Sequence, residues 1–464
     1  MIPALRDYQD DMIQRTRVAL RTNRTVLLQS PTGSGKTVLS AFMAGSATQK
    51  RLRVGFVCHR KELIKQTAKT YSLVGIPFGV VAAGMTGDRT KPVQICGVQT
   101  LAQRLDIVGK FDLMIWDEAH HIAAASWSRI MEHFGKAKHV GLSATPERLD
   151  GSGLGKFFST MVTGPKVSWL IENGYLSPYR LFAPSTLDTS GMRTTAGDFN
   201  RGDLEAATMQ SAVIGDAVKH YAKLAPGRRN MVFCVSVKHS LLMVDRYRAA
   251  GFRAEHIDGE TDPAERDRLI AAFTAGQIQV LCSVDLVSEG FDLPAIEVAT
   301  LLRKTKSVSL YLQQVGRALR PAMGKTEAIL LDHVGLAAEH GLPDDDREWS
   351  LAGRRKRKKK AGEGDDEPEF PTRQCPHCYN VHRPAPTCPR CGYDYPTLGR
   401  TPEELEGELR EIDRVAERRE RSKELAKAQS LDDLIRLGTL RGYKNPRFWA
   451  QKVFEGRGQR AGAA

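Results

Sequence analysis

Two tandem parallel-sheet α/β domains, then a small cysteine ribbon and a helical C-terminal region, are the architecture that this 464-residue sequence predicts. Three observations predict it. Short apolar runs alternate with helix-like stretches through residues 1–335 in two blocks, the pattern of buried parallel strands joined by crossover helices. A glycine-rich turn, with Gly33 and Gly35, joins the first apolar run to a helix-like stretch over Val38–Ala44. Two Cys-x-x-Cys pairs, Cys375/Cys378 and Cys388/Cys391, stand nine residues apart beyond a densely charged stretch.

The strands of the first block are expected at Val26–Gln29, Val54–Cys58, Val93–Gly97, Leu113–Asp117 and His139–Leu142. Those of the second are expected at Met231–Val235, Gln279–Ser283, Val298–Leu302 and Ala328–Asp332. The polar, glycine-rich region from Gly174 to Gly202, with Pro178 and Pro184, reads as connector or insertion. These signals divide the chain into residues 1–165, a connector at 166–210, a second domain at 211–352, a charged disordered linker at 353–372, a zinc ribbon at 373–398 and a helical tail at 399–464. In that tail, Thr401-Pro402-Glu403-Glu404 reads as a capped helix start, with Leu405, Leu409, Ile412 and Ala416 on one apolar stripe. The closing segment from Arg441 to Trp449 mixes basic and aromatic residues, which suits either stacking on bases or packing of Phe448 and Trp449 beneath the helix.

Composition sets limits. Hydrophobic residues are 41% and charged residues 26%, the balance of a globular protein. No run approaches the ~18 apolar residues of a membrane span, and the N-terminus lacks a signal-peptide pattern, so the chain is expected to be intracellular. The formal charge is +14, of which seven come from the unbroken basic run Arg354–Lys360, leaving +7 over the rest. That excess favours a polyanionic partner. The acidic residues Glu363, Asp365, Asp366, Glu367 and Glu369 follow directly, so the linker carries opposed charge blocks.

The turn itself, Ser30-Pro-Thr-Gly-Ser-Gly-Lys-Thr37, has the composition of a phosphate-binding loop. Gly33 and Gly35 permit a tight backbone whose N–H groups, with those of Thr32 and Ser34, face phosphate oxygens at a helix N-terminus. Lys36 adds a positive charge, and the Thr37 hydroxyl suits a Mg²⁺ ligand. Asp117-Glu118-Ala119-His120 ends the apolar run from Leu113, placing two carboxylates at the edge of the same sheet. There Asp117 suits a Mg²⁺ ligand, and Glu118 suits a base for an attacking water.

Further segments, in this order, resemble the motifs of superfamily 2 helicases. Leu5-Arg6-Asp7-Tyr8-Gln9 resembles their adenine-reading motif, implying Arg6 and Gln9 as nucleotide contacts. Ser143-Ala144-Thr145-Pro146 resembles the motif that links nucleotide state to the nucleic-acid track, together with His120. Gln313-Gln314-Val315-Gly316-Arg317-Ala318-Leu319-Arg320 resembles their arginine-finger helix, with Gln313, Arg317 and Arg320 in the catalytic set. The two arginines are three residues apart and so share a helix face. Phe56–Gln66, carrying His59 and Arg60, and Val98–Leu101, carrying Gln99 and Thr100, resemble backbone-holding segments, and Ser236 is a further candidate in the second domain. Val284–Asp292 resembles the segment that touches strand and nucleotide, with Gly290 and Asp292 best matched.

The resemblance implies two RecA-like domains with ATP between them and an incomplete site until they close. The pattern Ser143–Gly151, the stretch His340–Trp349, the cysteine pairs and the Gly442-Tyr443-Lys444 tail narrow it to RadD-like helicases of bacteria and phages. For this chain they imply a DNA-dependent ATPase serving replication, recombination or repair, cytoplasmic and nucleoid-associated, on single-stranded or branched DNA. RNA remains an alternative track, a restriction-type motor subunit another, and replication or repair proteins are implied partners. The cysteine spacing fits four thiolates around structural Zn²⁺, with His377 and His382 as alternative ligands. Cys58, Cys96, Cys234 and Cys282 fall in strand-like segments of the core.

Overall fold

The computed structural model describes residues 4–85, 87–148, 151–183, 192–195, 198–209, 211–285, 296–353, 370–396, 423–425, 427–441, 443 and 445–461, with backbone alone at 211–216 and 455–461. They form two compact units, Met1–Pro396 and Thr397–Ala464, each described by itself. Among the described residues no helix is long and apolar enough to cross a membrane.

The first sheet contains β1 (Thr25–Gln29), β2 (Val54–Cys58), β3 (Phe78–Val81), β4 (Val93–Gly97), β5 (Leu113–Trp116), β6 (Lys138–Ser143) and β7 (Thr160–Thr163) in the order β3-β4-β2-β5-β6-β1-β7, all parallel. Helices α1 (Asp7–Thr22), α2 (Lys36–Gln49), α3 (Lys61–Leu73), α4 (Val98–Gln103) and α5 (Ala125–His133) accompany it, and α6 (Val167–Glu172) leads away. Its central strands β2, β4 and β5 are buried at every position, because helices cover both faces of a parallel sheet.

The second sheet contains β8 (Tyr179–Phe182), β11 (Asn230–Phe233), β12 (Ala254–Ile257), β13 (Val280–Ser283), β14 (Val298–Leu301) and β15 (Ala328–Asp332), ordered β12-β13-β11-β14-β15-β8 and again parallel. A small antiparallel pair, β9 (Thr194–Thr195) and β10 (Asp198–Phe199), lies between β8 and β11 in the chain. Helices α7 (Arg201–Thr208), α8 (Ser211–Leu224), α9 (Val237–Ala249), α10 (Pro263–Thr274), α11 (Val308–Ala318) and α12 (Leu336–His340) complete the domain. Two parallel-sheet RecA-like domains are therefore present.

The structure differs from the expected layout at 166–210. That stretch is more than a connector: Tyr179–Phe182 pairs with β15 as the edge strand of the second sheet. Its half-polar sequence and flanking prolines are features of an edge strand, where one ladder is unpaired, as well as of a loop. Arg180 forms a bidentate pair with Glu327 there. Strands β3, β7 and β12 were also not expected; each is four residues long with exposed or half-exposed positions that blur the apolar run.

The cysteine module seats on this edge. Its strands β16 (Arg373–Gln374) and β17 (Val381–His382) pair antiparallel, Asn380 bridges Phe182, and the Arg390 guanidinium lies 4.5 Å from the Phe182 ring centre. Arg383 ion-pairs with Asp344 at 3.2 Å and Asp345 at 2.9 Å.

In the second unit, α13 (Leu431–Leu440) starts at a capping box between Ser430 and Asp433 and packs on α14 (Pro446–Ala461) around Ala428, Leu434 and Ala450. Gly438 makes the approach possible, since a Cβ there would lie 3.0 Å from the Trp449 ring. Trp449 thus packs beneath the helix, whereas Phe448 is 61% exposed. The charged linker's core, 354–369, and the stripe from Leu405 to Ala416 lie outside the described residues.

Candidate ATP site between the two sheets

Register brings the motifs of the first domain together. Gln29 at the end of β1 lies beside Ser143 at the end of β6; the Ser30 backbone amide donates to the Ser143 carbonyl at 2.9 Å, and the Gln29 side-chain Nε2 to the Ala144 carbonyl at 3.0 Å. The loop that follows turns through Gly33 and Gly35, with φ of +88° and +90°, values that L side chains rarely adopt. Helix α2 then starts at Lys36, so its first N–H groups point back into the loop.

Lys36 sits among charges from both sheets. Burial lowers its ammonium pKa, Glu118 and Asp117 oppose that, and Arg320 and Arg317 add to it. The four charged partners are the residues predicted from the sequence. Asp117 is buried at the end of β5, its amide bonded to the Val57 carbonyl. Glu118 follows in a left-handed conformation, φ +49° and ψ 55°, uncommon for a non-glycine residue and a local strain of order 1–3 kcal/mol. Its carboxylate lies 3.4 Å from His120 Nδ1.

From His120 a polar chain leads onward. Its Nδ1 is 3.4 Å from Ser143 Oγ, Ser143 Oγ donates to the Thr145 carbonyl at 2.7 Å, and Thr145 Oγ1 is 2.6 Å from Ser309 Oγ. Ser309 belongs to α11, so this chain crosses between the domains.

Helix α11 itself docks on the loop. A Cβ at Gly316 would meet Thr32 Cβ at 2.6 Å, and one at Gly33 would lie 2.8 Å from Leu176 and 3.5 Å from Arg320 Cγ. Only glycine at 316 lets the helix approach this closely. Gln313 and Arg317 are both about 5% exposed and face inward with it. A cavity of about 170 Å³ lies behind the contact, lined by Pro31, Thr32, Ala144, Leu176 and Val315; Lys36 and Asp117 do not line it, so it is not the phosphate face.

At the N-terminal motif, Gln9 is buried and donates its amide to the Ser34 carbonyl at 2.9 Å, while its oxygen accepts from the Arg6 amide at 3.1 Å. Tyr8 donates to the same Ser34 carbonyl at 2.8 Å. Burial pushes the Tyr8 phenol up, keeping it a neutral donor.

The predicted track residues divide. Gln99 is exposed on α4, Thr100 is buried, and His59 and Arg60 are half-buried. Arg60 donates to the Asp285 carbonyl of the second domain at 3.4 Å. Ser236 is engaged locally: its hydroxyl caps α9 by accepting from the His239 amide at 3.1 Å. Gly290 and Asp292 lie outside the described residues. Sequence reasoning missed the Glu62–Arg266 ion pair, 2.6 Å across the domains, and Ser309; a buried arginine on α10 and a serine on α11 carry no signal until the two domains face each other.

The four cysteines converge. Every Sγ lies within 4.8 Å of the others, with Cys375–Cys391 at 3.6 Å and Cys378–Cys388 at 3.8 Å. A tetrahedral Zn²⁺ with ~2.3 Å Zn–S bonds sets its sulfurs ~3.8 Å apart, so the donor set fits. Both pairs use one turn: Tyr379 N bonds Cys375 O, Gly392 N bonds Cys388 O, and both residues have positive φ. His382 is occupied by Arg383 O and Tyr395 OH, and the His377 ring stacks toward Tyr393, which leaves the cysteines as the donor set.

Comparison with known proteins bears on the two sheets. The family profile described as "Type III restriction enzyme, res subunit" matches residues 2–148, and "Helicase conserved C-terminal domain" matches residues 213–322. A "51.5 kDa protein" of a Lactococcus phage (isolate 7-9) is 35% identical over 370 residues, covering 80% of this chain and 78% of that one. The chain belongs to the superfamily 2 helicases. As such it is an ATP-hydrolysing enzyme. IRC3 of Saccharomyces cerevisiae is 28% identical over 366 residues; the alignment covers 72% of this helicase and only 52% of IRC3. The fold is shared with the solved ATP-dependent Type ISP restriction-modification enzyme LlaBIII, at TM-score 0.56 and 14% identity, over 72% of this helicase and 28% of that enzyme.

Proposed function

We propose that the helicase couples ATP hydrolysis between its two sheets to movement on DNA, in replication, recombination or repair. The observation that carries this reading is the seating of Gly316 on Thr32, which sets Arg317 and Arg320 of one domain beside Lys36, Asp117 and Glu118 of the other. Lys36 and the loop amides bind the β- and γ-phosphates; Glu118 positions and deprotonates the attacking water; Arg317 and Arg320 stabilise charge on the transferring phosphoryl group. Thr37 and Asp117 would hold Mg²⁺, which neutralises phosphate charge when bound. Gln9 and Arg6 read the base. Hydrolysis removes the charge that holds α11 on the loop, so the second domain shifts along the strand that the first domain grips through the 56–66 and 98–101 segments. The cysteine module binds Zn²⁺ structurally through Cys375, Cys378, Cys388 and Cys391.

DNA rather than RNA is favoured by the restriction-enzyme family description over residues 2–148. The same match favours, as a second reading, a motor that serves a restriction-type complex. ATPase rates with single-stranded, duplex and forked DNA and with RNA test the proposal, with Glu118→Gln as control. Stimulation by DNA, lost in the variant, is the expected result; stimulation by RNA alone overturns it, and DNA cleavage only with an added nuclease partner supports the second reading.

A further inference from the structure

Beside Gln9 stands an aromatic cluster that the ATPase chemistry does not use. Tyr175 lies 5.0 Å from Tyr8 and 5.7 Å from Trp169, ring centre to ring centre. The Arg6 guanidinium lies 4.8 Å over the Tyr175 ring and donates to the Tyr8 hydroxyl at 3.3 Å. Arg6 is an exposed residue whose planar group rests on Tyr175. A guanidinium fixed flat in this way offers a stacking surface to a purine, next to an amide that reads its edge.

The position of Tyr175 is not left to a flexible linker. Helix α6 ends in a Schellman arrangement: Gly174, at φ +71°, donates to the Ile171 carbonyl at 3.0 Å, and Tyr175 donates to the Leu170 carbonyl at 2.8 Å. The next two residues reach the arginine helix. Leu176 is buried against Gly33, and Ser177 donates from its amide to the Leu319 carbonyl at 2.8 Å and from its hydroxyl to the Arg320 carbonyl at 3.3 Å. One tripeptide therefore touches the base-side arginine, the phosphate loop and the backbone of Leu319 and Arg320.

We infer that Tyr175 is a positioning residue for nucleobase recognition: it backs Arg6 as a stacking platform for the purine and ties base occupancy to the placement of Arg320 through Ser177. The inference rests on the proposed ATPase reading of this site. It separates two kinds of selectivity. Gln9 distinguishes adenine from guanine by its hydrogen-bonding edge; the Arg6–Tyr175 platform distinguishes a large flat base from a small one or from none.

Steady-state hydrolysis of ATP, CTP and inorganic tripolyphosphate by Tyr175→Ala, Tyr175→Leu and Tyr175→Phe in the full chain tests it. Loss of the platform is expected to raise KM for ATP ~10-fold, with kcat changed much less, and to shrink the preference of ATP over CTP by the same factor. Tyr175→Phe keeps the ring and restores both. Tyr175→Leu keeps apolar bulk against Tyr8 and Trp169 and must behave as the alanine variant does. ADP, added without hydrolysis, is expected to change Trp169 fluorescence, a signal that Trp169→Phe abolishes and Tyr175→Leu reduces. Unchanged KM and unchanged ATP/CTP ratio in active Tyr175→Leu enzyme overturn the inference. An unmodified protein that hydrolyses no nucleoside triphosphate overturns instead the reading on which it rests.

Discussion

Thr145 Oγ1 and Ser309 Oγ lie 2.6 Å apart, both buried, and form a direct side-chain hydrogen bond between the two sheets at the candidate ATP site. Thr145 is joined to Ser143, Ser143 to His120, and His120 to Glu118, while Ser309 stands on the first turn of the helix that carries Arg317. A hydroxyl pair so placed gives the Glu118 carboxylate and helix α11 a shared register. Ser309→Ala leaves Thr145 without its partner across the interface, and a buried hydroxyl so stranded costs about 1–3 kcal/mol of the closed arrangement. Nucleic-acid stimulation of hydrolysis is then expected to fall about tenfold or more while ATP affinity, measured by equilibrium binding, stays near its starting value. An equal fall in binding and turnover would assign Ser309 a purely structural role.

Closure is limited more sharply by Gly316. An alanine there needs its Cβ 2.6 Å from Thr32 Cβ, a separation that real contacts do not tolerate, so the loop or the helix must shift. Gly316→Ala is therefore expected to keep both folded domains, with far-ultraviolet circular dichroism unchanged, and to lose ~10²-fold or more of kcat because Arg317 and Arg320 no longer seat. Arg320→Ala should approach the same loss without the steric cause. A Gly316→Ala enzyme with full turnover would show that the two arginines reach the phosphates by another approach.

How much of this was legible beforehand depends on where each signal resides. The strands at Val54–Cys58, Val93–Gly97 and Ala328–Asp332 are largely apolar runs buried at every position, and their bounds match the expected ones. Tyr179–Phe182 is an edge strand whose first two residues, Tyr179 and Arg180, are only half-buried, so it read as a connector. Lys36, Asp117 and Glu118 were legible because strand-to-helix turns and strand ends fix their place locally. Arg317 lies on α11 as expected, but Arg320 stands beyond that helix's end at Ala318, so the two do not share a helix face, and only the docking of Gly316 shows what they meet. Ser309, Arg266 and Tyr175 acquire a role solely through residues 164, 204 and 169 positions away in the chain, namely Thr145, Glu62 and Arg6. No local pattern encodes such a pairing.

The cysteine module makes a separate prediction. Its sulfurs already stand at the spacing of a tetrahedral thiolate site, and two matched turns hold them. Purified protein is expected to carry one zinc per chain by elemental analysis, and Cys378→Ser to carry much less. Because Asn380 bridges Phe182 and Arg383 pairs with Asp344 and Asp345, loss of the metal should also loosen the edge of the second sheet. Faster proteolysis within 370–396 on chelation is the observable. A full zinc content in Cys378→Ser would require a different donor, and His377 and His382 are the candidates to replace next.

Acid should weaken the fold through histidines that are buried neutral. His139 accepts from Trp116 Nε1 at Nδ1, 3.1 Å, and so carries its proton on Nε2, which donates to the Phe134 carbonyl at 3.1 Å. Burial holds it down to about 4, burial likewise holds His239 to about 4, and burial with the nearby His220 holds His333 to about 3. Each of these values lies below the ~6.5 of an unfolded histidine, so as pH falls the unfolded chain takes up protons first. Stability is thus complete above about pH 6.5 and declines as pH falls toward 4, each group contributing at most ~1.4 kcal/mol per pH unit once its unfolded form is charged. Urea midpoints of the full chain between pH 7 and 4.5 are expected to fall accordingly. His139→Gln keeps an acceptor for Trp116 and a donor for Phe134 but cannot take up a proton, so the pH dependence should flatten by about one histidine's share. A slope that does not change in that variant would place the acid sensitivity in other groups, the carboxylates first among them.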